Sequence, residues 1–518
     1  MKRCPQIWIS AIFGLVLVLC WSSCRNDFEF ESNSGNLRFS KDTVFLDTVF
    51  TNIGSATYTL KVYNRLNEDI AIPFVGLQNG QSSSYRLNVD GEAGKEFSNI
   101  PLLANDSLFV FVETTFDVAP TGELEFLNTD RILFGEGAGQ QSVELVTLVK
   151  DAVFLYPATD ADGLVETIPI GLDEEGNEIR IEGFYLDFDE LNFTNEKPYV
   201  IYGYAAVPNG SVLTIDAGAR VHFHNNSGIM VDAGALMQVN GTLSEDQELL
   251  ENEVIFEGDR LEPSFADTPG QWGTIWIREG SIDNSIQNLT LKNATVGLRV
   301  EGNATSIVPS LTLQNSQIYN SLDTNLWATT ATINAANSVF GGAGNISFHG
   351  NLGGNYNLVH CTLANYWNNG FRSGPALALD NFGQNASGEV VAEDLQQANF
   401  TNCIIDGSVQ VELSLQQNPA AAFNFLFENC TLQFNDTAGV FEGNPLYNLE
   451  NLSNYQNIIL NGDMDFEMPF ENNLQIGPDS EAIDQGKNDL LPPLPQDILG
   501  RDRISPSDIG AYEYMSSN

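Results

Sequence analysis

The sequence predicts an all-β chain: an N-terminal β-sandwich, then a parallel β-solenoid, then a closing C-terminal segment. Three observations predict it. The first stretch alternates apolar and polar residues with a period of two. A short strand followed by Asn and a small residue then recurs near every 22 residues. Gly, Asn and Asp punctuate the whole chain, and no helical 3.6-residue spacing is seen.

The sandwich is assigned to residues 37–150. Asp42–Asn52, Tyr58–Leu66, Asp106–Phe116 and Ser142–Lys150 each alternate, with turn residues between them. Short strands at this spacing fit a two-sheet sandwich. The segment DTVFTNIGSATYTLKVYN (Asp47–Asn64) resembles the immunoglobulin-like domains of bacterial surface and ciliary proteins.

Residues 151–196 form an acidic connector with DEEGNE at Asp173–Glu178, and the solenoid is assigned to 197–443. Aligning on the Asn after each short strand gives Asn293, Asn315 and Asn337, each 22 apart. His360, Asn402 and Asn429 follow after 23, 42 and 27 residues. Small residues come next (Ala294, Ser316, Ser338, Cys361, Cys403, Cys430), then apolar ones (Val296, Ile318, Phe340, Leu363, Ile405, Leu432). Coils of about three strands stack roughly 4.8 Å apart, so equivalent positions form ladders. Cys361, Cys403 and Cys430 are therefore expected as buried ladder members, with no C-x-x-C spacing to indicate zinc. This stretch resembles the right-handed parallel β-helix proteins, a group that includes pectate lyases, polygalacturonases and many non-catalytic surface proteins. Handedness and the pectin-lyase-like fold are what that resemblance implies.

Asn444–Asn448, Gly477–Lys487, Asp497–Arg503 and Asp508–Tyr514 stand in the order of the choice-of-anchor segment that closes many bacterial β-helix proteins, and 444–518 resembles it. A solenoid end exposes core and a strand edge, so a cap is expected, with Ile483, Ile509 and Tyr512 as plug residues. Asp484, Asp497, Asp502 and Asp508 are candidate calcium ligands; the alternative is that they cap turns and pair with Arg501 and Arg503. No other cofactor is indicated.

The charge excludes one class of partner. Lys and Arg number 22 against 68 Asp and Glu, for a net of −46, which repels nucleic acid and polyanionic glycans. Neutral glycans, cations and proteins remain. Residues 1–23 read as a secretion signal: Lys2 and Arg3 precede the apolar run Ile7–Leu19. WSSC resembles the lipobox of bacterial lipoproteins, which implies acylation of Cys24 and an outer-membrane anchor. Trp21 departs from that pattern, and Cys20 is the rival acceptor. NDFEFE (Asn26–Glu31) resembles the export tag of surface lipoproteins.

Chemistry is sparser. FHGN (Phe348–Asn351) is the nearest approach to a polygalacturonase histidine motif, and lacks its first glycine and aspartate pair. Basic residues in the coils (Arg220, Arg260, Arg278, Lys292, Arg299, Arg372) form no column at a 22-residue step. His222 and His224 share one strand face as a candidate metal pair, and Trp272 and Trp276 read as packing at a coil corner. Asn365–Asn381 fills the longest gap. There Tyr366, Trp367, Phe371 and Arg372 are candidate sugar-binding residues, the alternative being that the aromatics pack under their own loop. The expectation is a lipid-anchored envelope protein whose flank binds a glycan or a surface protein. The alternatives are a polysaccharide lyase or glycoside hydrolase, and a spacer.

Overall fold

A computed structural model describes residues 30–32, 35–117, 125–173, 175–384 and 388–516. The signal sequence and Cys24 lie outside the described residues. The chain divides into two compact units, 1–150 and 151–518.

The first unit is a two-sheet sandwich. One sheet orders Glu31–Ser32, Ile70–Leu77, Glu125–Phe134, Gln141–Lys150 and Thr43–Phe50, with Glu96–Leu102 also on Ile70–Leu77. The other orders Arg38–Phe39, Tyr58–Tyr63, Ser107–Thr114, Tyr85–Val89 and Glu92–Gly94. Alternation decides the faces: Leu108, Val110 and Val112 enter the core, while Phe109 and Phe111 face out.

The second unit is the solenoid. Its first sheet runs from Val153–Leu155 to Ile459–Leu460, its second from Thr167–Leu172 to Leu413–Gln416, and its third from Asn192–Phe193 to Tyr455–Gln456. Among the described residues these sheets hold eleven, ten and ten strands. Neighbours pair in parallel, except for the hairpin Thr167–Leu172/Glu178–Tyr185 that opens the second sheet. The solenoid thus begins at Val153 rather than at 197. Its first strands are only two or three residues long in places, too short to show a period.

Two stretches that look alike in sequence prove to be different elements. Leu289–Lys292 belongs to the first sheet and Leu311–Gln314 to the third. Lys292 aligns with Tyr319, so Asn293 stacks with Asn320, and the true precursor of Asn315 is Asn288. A short apolar strand ending in Asn serves at two corners, which is how a five-residue slip arises. From Asn315 onward the ladder stands. Asn315, Asn337, His360, Asn402 and Asn429 all have φ between 45° and 54°, a left-handed conformation that Asn tolerates well.

That turn folds the next side chain back onto the carbonyl two residues earlier. Ser316 and Ser338 donate to Gln314 and Ala336 at 2.7 and 2.9 Å. Cys361, Cys403 and Cys430 repeat the contact to Val359, Thr401 and Glu428 at 3.4–3.6 Å. All three thiols are buried and free. Burial pushes the Cys403 thiol well above its ordinary value, so it is no nucleophile.

The C-terminal segment does two jobs. Phe434, Phe441 and Tyr447 pack over the last coil, with the Leu415 amide donating to the Tyr447 hydroxyl at 2.7 Å. The remainder does not plug the end. It runs back as a strap over the outward side of the first sheet, burying Ile509 against Ile404 and Tyr512 with Val339 and Ala364. The Asn ladder ties it down. Asn337 donates to the Gln496 carbonyl, Asn402 to the Lys487 carbonyl and Asn429 to the Gln485 carbonyl, each at 2.8–2.9 Å. His360 fits as a neutral ring, accepting from Asn402 and facing the Gly510 carbonyl through Nδ1. Burial holds its pKa well below the usual value.

Candidate functional site

The outward face of the second sheet carries a column of planar side chains. Ile275–Ile277, Val296–Glu301, Thr324–Thr329 and Ile346–Asn351 stack so that Trp276, Arg299, Trp327 and His349 occupy successive registers. Each sits between inward residues that are buried, such as Leu298 and Val300. Three sheet spacings make the column about 14 Å long. The Arg299 guanidinium lies 4.2 Å over the Trp276 ring, and Trp327 and His349 rings are 5.5 Å apart. Arg299, Arg278 and the His349 ring each face a carboxylate. Arg299 meets Glu301 at 2.8 Å, His349 meets Asp380 at 2.8 Å and Arg278 meets Asp232 at 3.1 Å. Asp380 is fixed further by Asn351 and the Leu352 amide. The result is a surface of rings and forked donors, each donor facing a carboxylate, on a chain of net charge −46.

Sequence reasoning missed this column, because its steps are 23, 28 and 22 residues. The insertion at 302–310 breaks the strict period. A usable signal was present: IWI, LRV, LWA and FHG each place one polar or aromatic residue between two inward-facing ones. Arg299 therefore does stand in a column, and His349 finds its aspartate, Asp380, one coil away rather than beside it in sequence.

The four expected sugar-binding residues do not share one platform. Arg372 is buried and bidentate to Glu412 at 2.9 and 2.7 Å, so it is a structural ion pair. Trp367 is buried against Gly344, under its own loop. Phe371 is 92% exposed. Tyr366 packs on Phe466 and Phe470 and donates to Asp406 at 2.9 Å. Asp406, Asp463 and Asp465 line a polar groove of about 380 Å³ with it. Burial pushes the Asp406 carboxyl up, and the neighbouring Asp463 charge adds to that.

The acids of the strap cap turns. Asp497 accepts from the Leu499, Arg501 and Glu513 amides, and Asp508 from the Asp484 and Tyr514 amides. Asp502 accepts from Gln496, and Arg503 pairs with Glu513 rather than with an aspartate. Among the described residues no three His, Cys, Asp or Glu side chains are grouped to hold a metal ion. His222 is buried near Glu257, whereas His224 meets Asp259 at 2.7 Å and stacks on Tyr202, so the two histidines do not converge. Trp272 is core, stacked on Phe223 at 4.2 Å, and Trp276, on the outer side of the second sheet, is also buried, packed with Ile168, Ala206 and Met230.

Fold and column together define an all-β protein with a parallel solenoid and a column of planar side chains along its second sheet. No family model matches the chain, and no curated protein matches it. Among solved structures, the catalytic domain of a GH87 alpha-1,3-glucanase in complex with nigerose aligns over 73% of this chain and 82% of its own. Identity is 12% and the TM-score 0.18. A PapD-like domain of human CEP192 aligns over 25% of this chain and 94% of its own, at 10% identity and a TM-score of 0.15. For the major pilin subunit of Bacillus cereus the values are 28%, 52%, 11% and 0.15, so this chain spans about half of that protein. At such scores none of these likenesses carries an argument about function.

Proposed function

We propose that this is an exported, lipid-anchored envelope protein whose solenoid binds a neutral glycan without cleaving it, along Arg299, Trp327 and His349, with the buried Trp276 ring supporting Arg299 from below. One observation carries the reading: planar side chains at successive sheet registers, with Arg299 and His349 each facing a carboxylate. Rings offer faces to sugar C–H groups, and paired side chains offer donors to hydroxyls without attracting ions. The anchor rests on Cys24 and the run before it. Trp327→Ala should weaken binding to neutral oligosaccharides at least about tenfold, or ~1.4 kcal/mol, by titration calorimetry. Unchanged affinity rejects the platform. Cys24→Ala should move the protein from the membrane fraction to the soluble one.

A second reading, hydrolysis of the glycan, is supported by the Asp406 groove. A buried carboxyl raised in pKa suits a general acid, and exposed Asp463 suits its partner. Incubation with a panel of polysaccharides decides: new reducing ends lost in Asp406→Asn establish the hydrolase, and no release from any of them rejects this second reading.

A further inference from the structure

The third sheet carries a separate feature that the platform does not use. Its outward residues Thr312, Asn334, Asn357 and Asn399 occupy successive registers, with Gln287 and Gln314 beside them. None of these six side chains makes a hydrogen bond among the described residues. Over five of them, all but Asn399, lies the strap segment Leu490–Pro495, whose Leu491 is 94% exposed. Floor and strap enclose two clefts of about 290 and 280 Å³ that share Gln314, Ala336 and Leu494, and so form one trough. Its only charged lining residue, Asp497, has its oxygens taken by the Leu499, Arg501 and Glu513 amides.

We infer that this trough is a second binding site, for an extended neutral oligosaccharide lying along the solenoid axis. The floor supplies unsatisfied amides, each able to donate and accept, which is the complement of vicinal hydroxyls. The wall supplies Leu and Pro carbons for the C–H faces of the rings. The spacing selects against a peptide. Floor groups repeat at the sheet spacing of about 4.8 Å, whereas an extended peptide repeats its like-facing groups every ~6.8 Å and slips out of register at each step. A strand laid across the axis has no free edge to join, since the strands here are paired on both sides. In an extended β-1,4-linked pyranose chain like-facing groups recur at every second ring, close to two sheet spacings, and an uncharged chain meets no repulsion from this protein. Two sites on two faces let one molecule bridge two glycan chains.

The test uses the full chain carrying Trp327→Ala, so that the platform is removed independently. Cello-, laminari-, manno- and chitohexaose are added in turn, and hydroxyl-radical oxidation of Leu491 and Leu494 is read by mass spectrometry. At least one hexaose should protect both leucines at least threefold, and adding Asn334→Ala with Asn357→Ala should abolish that protection. Both asparagines lack partners, so the variants fold; unchanged thermal unfolding checks this. Protection by no hexaose, or protection that survives loss of both amides, overturns the second site. Failure of the platform alone is read separately, as unchanged oxidation of Trp327 in the wild-type chain.

Discussion

Neutralising Glu412 should cost more than removing the whole ion pair that it forms. The side chains of Arg372 and Glu412 are 3% and 0% exposed. Arg372 also donates to the Ser408 hydroxyl and the Gly374 carbonyl, and Glu412 accepts from the Ala376 and Val409 amides at 2.7 and 2.9 Å. Glu412→Gln keeps an acceptor for those amides but leaves a buried guanidinium without its counter-ion, which costs about 3–5 kcal/mol. Adding Arg372→Met removes the orphaned charge and should recover about 2 kcal/mol or more, since apolar replacement of a buried pair is often neutral. A solenoid unfolds locally, so the readout is native-state hydrogen exchange at Leu377–Asp380 and Leu413–Gln416. A change below about 1 kcal/mol for Glu412→Gln would show that water reaches the pair, refuting its desolvation. The double variant should also bind glycan like the parent, because Arg372 is not part of the platform.

Glu253 makes stability fall with pH. Burial pushes its carboxyl up to about 7, against the opposing pull of the Thr290 hydroxyl and Arg220. The folded state then holds a proton that the unfolded state has lost, so stability declines from about pH 4.5 to about pH 7, by at most ~3 kcal/mol. In Glu253→Gln that decline should vanish from denaturant midpoints taken across this window. His360 acts in the opposite sense. Its depressed pKa means the unfolded state binds the proton first, so stability is lost as pH falls below about 6.5, and His360→Asn should remove the loss. Cys403→Ser should cost less than about 1 kcal/mol, because Ser316 and Ser338 already make the same backward hydrogen bond at equivalent corners. A large loss in thermal unfolding would mean that the ladder positions are not equivalent.

The two-sheet unit was legible because half-buried antiparallel strands alternate, and the alternation of Ser107–Thr114 is visible in sequence and in burial alike. The cysteines were legible for a related reason: from Ser316 onward each left-handed ladder residue is followed by a small side chain that turns back onto a carbonyl. Asn293 was misplaced because Leu289–Lys292 and Leu311–Gln314 obey the same local rule on different sheets. Arg372 looked like a ligand residue beside three aromatics, and nothing local reveals that Glu412, 40 residues on, neutralises it.

By itself, then, the sequence determined the all-β class, the solenoid and the bend chemistry. These depend on period and turn residues, which are properties of short windows. Only the tertiary structure decided which side chains stand above one another, and that the C-terminal segment lies lengthwise as a strap. Stacking adds up every insertion between coils, so one loop at 302–310 shifts the Trp276–His349 column out of any fixed period. The strap depends on ladder asparagines tens to more than a hundred residues away, a separation that no local pattern encodes.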